Sequence, residues 1–361
     1  MLILLKFWFD ILTPKQVMFF KPIVDSLRQD GHELLCTSRD YREAVQLARI
    51  KHLDLKIIGR HGGAGKYEKL CESANRIFKL ADIIKQFEPD TAVTFSSPEG
   101  SRVAFGLGIK HIGLNDSPHA DSVAKLTIPL MNHLFCPWVI PYSAWYRFGI
   151  CKNRITKYRA LDPAAWLKRT AISSIPISST IVNKYNIDRR KKTVLIRLEE
   201  AKASYIADKK KIGSKIFMID ALVKDLSEST NIIILCRYED QIKEIAERYE
   251  GRAHVIQRVI DGTLLISLAN VFIGAGGTMT AEASLLGKPT ISIAPIQFYV
   301  EKYLLSSGLV QRACSPTDLV RLTKKMITDN NYAKKQKKKA KLILDEMDDP
   351  VERVLPFLEM S

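Results

Sequence analysis

The stretch Val271-Phe-Ile-Gly-Ala-Gly-Gly-Thr-Met-Thr-Ala-Glu-Ala-Ser-Leu-Leu-Gly-Lys-Pro-Thr290 decides how the rest of the chain is read. Val271 to Ile273 is a short apolar run, as a buried strand requires. Glycines then crowd a turn, and a helix is expected from Thr278 to Leu286, stopped by Gly287, Lys288 and Pro289 before a strand over Thr290 to Ile293. Gly276 and Gly277 carry no Cβ, so a ligand can approach the backbone there. The helix opens with N–H groups that lack intrahelical partners and with the positive end of its dipole, which together suit a diphosphate. Thr278 and Thr280 add hydroxyls. Glu282, one turn on, can accept two hydrogen bonds from ribose hydroxyls. The bland alternative is a strand-turn-helix whose glycines serve tight packing alone. The order Gly-Ala-Gly-Gly with Glu282 at this spacing favours the ligand.

Outward from this stretch, strands and helices alternate along the chain. Leu2 to Phe9, Glu33 to Thr37, Leu55 to Ile58, Thr91 to Phe95, His111 to Leu114 and Leu134 to Val139 read as strands with helical segments between them. The rhythm returns at Thr193 to Leu198, Asn231 to Cys236, His254 to Ile256, Val271 to Ile273 and Thr290 to Ile293. Repeated βα units demand a parallel sheet covered on both faces. Between the two series, Pro137, Pro141, Pro163 and Pro176 punctuate an aromatic stretch that reads as the crossover between domains. The expected fold is α/β, two tandem Rossmann-like doubly wound domains facing across a cleft. The N-terminal domain spans 1–160, the connection 161–192, the C-terminal nucleotide-binding domain 193–345 and a tail 346–361.

Bulk properties agree with this division. A chain of 361 residues exceeds the size at which one core usually stops growing. No apolar run is long enough to span a bilayer. The opening residues carry Lys6 and Asp10 and lack a small-residue cleavage site, so they read as a strand rather than a signal peptide. The six cysteines show neither a Cys-x-x-Cys pair nor metal-ligand spacing, and read as reduced core residues of a cytoplasmic protein. No metal or cofactor is expected. The net charge of +16 favours anionic partners. Much of it is local, with six lysines among the eight residues from Lys334 to Lys341. Such a run reads as a solvated helix face, or as a surface that makes peripheral contact with anionic membrane.

Family resemblance enters with the glycine stretch. Gly276-Gly277, Glu282-Ala283 and Leu286-Gly-Lys-Pro289 resemble the donor-binding signature of GT-B fold enzymes. They look like the corresponding stretch of the non-hydrolysing UDP-N-acetylglucosamine 2-epimerases and of the N-acetylglucosaminyltransferase that makes lipid II. The resemblance implies that Gly276, Gly277 and Thr278 meet the phosphates and Glu282 the ribose. Asp10-Ile-Leu-Thr-Pro-Lys-Gln, Thr37-Ser-Arg-Asp-Tyr, His61-Gly-Gly, Phe95-Ser-Ser-Pro-Glu and Asn115-Asp-Ser-Pro are similar to a prokaryotic family of this fold, domain of unknown function 354.

Other candidates sit where strands of such a sheet end. Lys15, in the turn after the first strand, can meet a phosphate or simply start a helix. Glu99, Asp116 and His119 follow the fourth and fifth strands and can supply a general base, or an acid/base pair; helix capping is the alternative for Asp116 and Glu99. Arg197 can contact phosphate or form a structural ion pair, with Lys202 and Ser204 assisting. Gln297 lies where donor-sugar contacts fall in glycosyltransferases. Gly62-Gly-Ala-Gly-Lys66 suggests a phosphate loop, but Tyr67 stands where Ser or Thr must hold magnesium. The 2-epimerases carry a histidine opening the second domain; here Arg197-Leu-Glu-Glu-Ala-Lys-Ala-Ser-Tyr205 has none. The sequence thus points to an inverting glycosyltransferase with a nucleotide-diphosphate sugar donor, UDP-linked, and an unknown glycan or lipid-linked acceptor. The alternatives are a sugar-nucleotide 2-epimerase and a non-catalytic binder of RNA or another anionic polymer, with nucleic acid the less expected partner. The oligomeric state is left open.

Overall fold

The structure, a computed structural model, describes residues 4–63, 65–170, 179–198, 213–236 and 238–360, and omits the side chains of 179, 180 and 213–215. Two compact units emerge: Met1–Trp166 with Asp348–Ser361, and Leu167–Met347. Each is a parallel sheet with helices between successive strands.

Unit 1 holds β1 (Lys6–Asp10), β2 (Glu33–Asp40), β3 (Lys56–Arg60), β4 (Thr91–Thr94), β5 (Lys110–Leu114), β6 (His133–Pro137) and β7 (Ile155–Tyr158). Their order is β3-β2-β1-β4-β5-β6-β7, every pairing parallel. Strand order reverses between β1 and β4, the point at which such sheets open for ligands beyond their carboxyl ends. Phe7, Trp8 and Phe9 are all fully buried, as a central strand covered on both faces requires. The indole of Trp8 donates to Thr37 Oγ1 at 2.8 Å, so its one polar atom is satisfied inside the core.

Unit 2 holds β8 (Lys192–Arg197), β9 (Thr230–Leu235), β10 (His254–Ile256), β11 (Val271–Gly274), β12 (Thr290–Ser292) and β13 (Val310–Arg312). The order β10-β9-β8-β11-β12-β13 reverses between β8 and β11. In register, Gly274 pairs with Arg197 on one side and Ser292 on the other.

Three features depart from the sequence reading. The proline-punctuated stretch is not all crossover: β7 pairs with β6 and extends the first sheet, and Trp145 is buried among Ile140, Phe148 and Ile155. β7 and β13 are short edge strands, too short to show an alternating pattern. The final residues form the helix Pro350–Glu359, which buries Val351, Val354 and Leu358. Its Phe357 ring lies 4.4 Å from His133 and 5.2 Å from Phe135, so this segment belongs to unit 1.

The lysine-rich run lies on the helix Asn330–Glu346, which buries Gln336, Ala340 and Leu344 while its six lysines from Lys334 to Lys341 stay exposed. No helix among the described residues is long and apolar enough to cross a membrane.

Candidate functional site

In unit 2, β11 ends at Gly274 and the helix Thr278–Leu285 begins after Gly277. Gly276 has φ of 91° and Gly277 of 82°, conformations that L side chains rarely adopt. A Cβ added at Gly277 would meet nothing within 4 Å, and the residue is exposed. Among the described residues the Gly277 side of the turn is uncovered, while Ala294 and Glu301 lie beside Gly276. Thr278, half-buried, is the first residue of that helix.

Glu282 is buried, and its Oε1 accepts from Thr263 Oγ1 at 2.5 Å. A Cβ at Gly262 would stand 3.8 Å from its Oε2, so Gly262 lies beside the carboxylate. Asp261 caps the helix Gly262–Leu268 by accepting from Thr263 N at 2.9 Å, which holds Thr263 against Glu282. Thr280 does not point outward with Thr278. It is fully buried, and a Cβ at Gly274 would be 2.3 Å from its Oγ1. Thr280 fills the space under the turn, and Gly274 is glycine to admit it. Lys288 donates to the carbonyls of Ser267 and Ala269 at 2.7 and 2.9 Å, at the carboxyl end of a helix where a cation is favoured. Burial and the neighbouring Lys337 pull its ammonium down to about 8.

Beside the turn, Ser292 donates to Glu301, whose carboxyl is raised by burial against that hydrogen bond and the charge of Arg312. Arg197 closes β8, half-buried, and donates to the carbonyl of Cys236 at 3.0 Å. Gln297 is half-buried in the loop after β12. Lys202 and Ser204 lie outside the described residues.

In unit 1 the charges gather at the strand ends. Lys15 Nζ lies 2.7 Å from Asp116 Oδ1 and 3.0 Å from Asp162 Oδ2, over the Phe95 ring at 3.9 Å. Tyr158 donates to Asp162 Oδ1 at 2.6 Å. Burial alone would raise the Asp116 carboxyl, but the charge and hydrogen bond of Lys15 overcome it and hold Asp116 below the usual range. Asp162 is pushed up to about 6 by deeper burial and by the charge of Asp116, against the pull of Lys15. Two adjacent carboxyls are thus driven apart, one ionised and one able to carry a proton near neutrality, as an acid and a base require. His119, half-buried in the same loop, falls to about 4 through burial and is neutral at pH 7.

A second cluster stands at the switch point. Asp10, at the end of β1, is fully buried and receives Arg76 at 2.5 and 3.0 Å, Ser97 at 2.6 Å and Thr37 at 2.7 Å. Despite burial, these partners hold its carboxyl below the ordinary value, Arg76 most strongly. Glu99 lies 3.6 Å from Arg76 in the first turn of the helix Pro98–Gly106, capped by Ser97. Glu99 is buried and belongs to this ion cluster, apart from the Asp116 group.

The residues expected from the sequence thus divide. Gly276, Gly277, Thr278 and Glu282 come together around one turn with Arg197 on the neighbouring strand, while Thr280 lies beneath. Lys15 joins Asp116, and its ammonium is taken by two carboxylates. Sequence reading missed Asp162, Asp10, Arg76 and Thr263. Asp162 is signalled only by an Asp-Pro pair after an apolar run, which reads as linker. Gly65 precedes the helix Lys66–Phe87, and the Glu68 carboxylate lies beside it. Among the described residues, no group of His, Cys, Asp and Glu side chains is arranged to hold a metal ion.

Comparison with known proteins places this architecture. The chain is 32% identical over 299 residues to the uncharacterized protein MJ0665 of Methanocaldococcus jannaschii, covering 82% of this chain and 84% of that one. Its fold is similar to that of the S. aureus MnaA–UDP co-structure, with a TM-score of 0.75 at 15% identity over 99% of this chain and 96% of the other. It is equally similar to M. jannaschii UDP-GlcNAc 2-epimerase in complex with UDP-GlcNAc and UDP, with a TM-score of 0.75 at 14% identity over 99% of this chain and 100% of the other. The spinosyn forosaminyltransferase SpnP matches with a TM-score of 0.62 at 14% identity over 99% and 100% of the two chains. At such identities the likeness shows the fold alone, and that fold is GT-B. Residues 5–359 match the model of one protein family along nearly the whole chain, and the protein belongs to it: the family of unknown function DUF354.

Proposed function

We propose that this protein is a GT-B glycosyltransferase that binds a nucleotide-diphosphate sugar, UDP-linked, on unit 2 and moves the sugar to an acceptor served by unit 1. The observation that carries the reading is the positive-φ glycine turn at Gly276 and Gly277, with Gly277 exposed. It leads into a helix start beside a buried Glu282 whose Oε1 is already oriented by Thr263. Backbone N–H groups at Thr278 and beyond offer an anion fixed dipoles that need no reorganisation, which stabilises a leaving diphosphate without a metal. The Glu282 carboxylate accepts from the ribose. Asp116, kept ionised by Lys15, takes the acceptor proton.

Isothermal titration with UDP tests the donor half. Binding is expected, and Glu282→Ala is expected to weaken it at least tenfold; absence of UDP binding by the folded wild-type chain refutes the reading. A second reading, 2-epimerisation of a UDP-sugar, is supported by the Asp116–Asp162 pair, since removing and returning a proton calls for both a base and an acid. Against it stands the loop after β8, which lacks histidine. Incubating UDP-N-acetylglucosamine alone and looking for the manno isomer separates the two.

A further inference from the structure

The ion cluster at the switch point of unit 1 holds one guanidinium more than its carboxylates engage. Both oxygens of Asp10 are taken twice, Oδ1 by Thr37 and Arg76 and Oδ2 by Ser97 and Arg76, which fills the sites that a carboxylate offers. Arg76 also donates Nε to the carbonyl of Ile58 at 2.9 Å, so each of its three nitrogens is paired. Arg39 is different. It stands near the end of β2, two residues beyond Thr37. Its Nε is shut from solvent and meets no hydrogen-bond acceptor, and no described residue forms a hydrogen bond or ion pair with the guanidinium. The residue is half-buried, and its two outer nitrogens are not enclosed.

Cations drawn out of water are ordinarily paired, because an unmatched buried charge is costly. The carboxylate whose charge most supports Arg39 against its burial is that of Glu99. Yet Glu99 Oε2, also buried, accepts no hydrogen bond and lies 3.6 Å from Arg76. One donor group and one acceptor atom of the same cluster are therefore left over. The ladder between β2 and β3 shifts register between Ser38 and Asp40, an irregularity of the kind that re-aims a side chain beside a site. Strands β2, β1, β4 and β5 are neighbours in that order, so three steps of about 4.8 Å put about 14 Å of sheet edge between the ends of β2 and β5. Asp116 follows β5, and Arg39 thus serves a part of a ligand remote from the atom that Asp116 deprotonates.

We infer that the acceptor is anionic, its phosphate or carboxylate gripped by Arg39 while a neighbouring hydroxyl donates to Glu99. The inference rests on the transferase reading above, in which unit 1 serves the acceptor, and it names the acceptor's chemical class. The planar fork of a guanidinium matches either oxyanion with two hydrogen bonds, and a carboxylate oxygen beside it selects a ligand that also carries a hydroxyl.

Isothermal titration of the full chain with sn-glycerol 3-phosphate and with glucuronate tests this, glycerol and glucose serving as uncharged counterparts. Binding of at least one anion and of neither neutral compound is expected, and the tighter anion names the group. Arg39→Met is expected to weaken that binding about tenfold or more, and Arg39→Lys, which keeps the charge without the fork, to weaken it less. Arg39→Met is also expected to melt no lower than the wild type, since it removes a charge that the fold leaves unpaired. A wild-type chain that binds neither anion overturns the inference, as does equal binding by Arg39→Met. So does an Arg39→Met chain that melts well below the wild type or fails to fold, which makes Arg39 a structural residue. UDP affinity that falls in Arg39→Met assigns the guanidinium to the donor and equally overturns it. UDP binding without Arg39-dependent anion binding refutes this inference alone; Arg39-dependent anion binding without UDP binding refutes the transferase reading and leaves an anion site.

Discussion

The ammonium of Lys15 bridges Asp116 and Asp162, binding one carboxylate at 2.7 Å and the other at 3.0 Å. It ties the start of the helix after β1 to the loops after β5 and β7, and it pulls both carboxyls down against their burial. Burial lowers a lysine, yet the two carboxylates outweigh it and Lys15 is raised above its ordinary value.

Replacing Lys15 by methionine leaves two neighbouring carboxyls without a cation in a site where Asp162 is only 3% exposed. Breaking a buried charge pair in this way costs on the order of 3 kcal/mol. Urea unfolding at pH 7 is expected to show a loss of that order. The loss is expected to shrink towards pH 5, where protonation of one carboxyl relieves the repulsion.

Asp162 titrates at about 6, above the ordinary value of 3.8. A carboxyl raised on folding binds protons that the unfolded chain has released, so its contribution to stability falls as pH rises through the window from 3.8 to about 6. Carbon-13 carboxyl NMR is expected to show one aspartate with a midpoint near 6 that Asp162→Asn abolishes, while Asp116 stays ionised. If no carboxyl titrates above pH 5, the acid role of Asp162 is lost.

Asp10 behaves in the opposite sense. Its carboxyl is lowered by Arg76, so its stabilisation is present above the unfolded value and is lost as pH falls below about 4. Asp10→Ala leaves the Arg76 guanidinium, 1% exposed, without its main partner and is expected to destabilise unit 1 by about 3–5 kcal/mol. Asp10→Ala with Arg76→Met is expected to recover part of this, because the guanidinium stranded by the loss of Asp10 is removed with it. Thermal melts of the single and double variants decide it.

Gly277→Ala separates ligand binding from folding. The added methyl meets no atom of the described residues within 4 Å, so the cost in stability comes from the backbone, whose φ of 82° and ψ of −168° lie in a region essentially confined to glycine, about 1–3 kcal/mol. Under the proposed function the same methyl stands where the diphosphate approaches, and UDP affinity is expected to drop tenfold or more. Gly274→Ala, which collides with Thr280 beneath the turn, is expected to cost stability first. Equal UDP affinity in wild type and Gly277→Ala counts against the donor site.

Residue order alone specified two doubly wound parallel sheets and the glycine turn before Thr278. Those features are written in local signals: βα alternation, breakers between elements, and glycines where φ must be positive. It did not determine the edge strands Ile155–Tyr158 and Val310–Arg312, which are too short to carry a period, nor the helix Pro350–Glu359 returning to unit 1. Residue order placed Lys15, Glu99 and Asp116 at strand ends, but which charges pair there belonged to tertiary structure alone. Lys15 meets Asp162 across 147 residues, and Arg76 meets Asp10 across 66. Such partners are chosen by which strands lie side by side and how their ends align. The same cause sends Thr280 under the turn while Thr278 stays beside it, a difference that residue type cannot express and helix direction can.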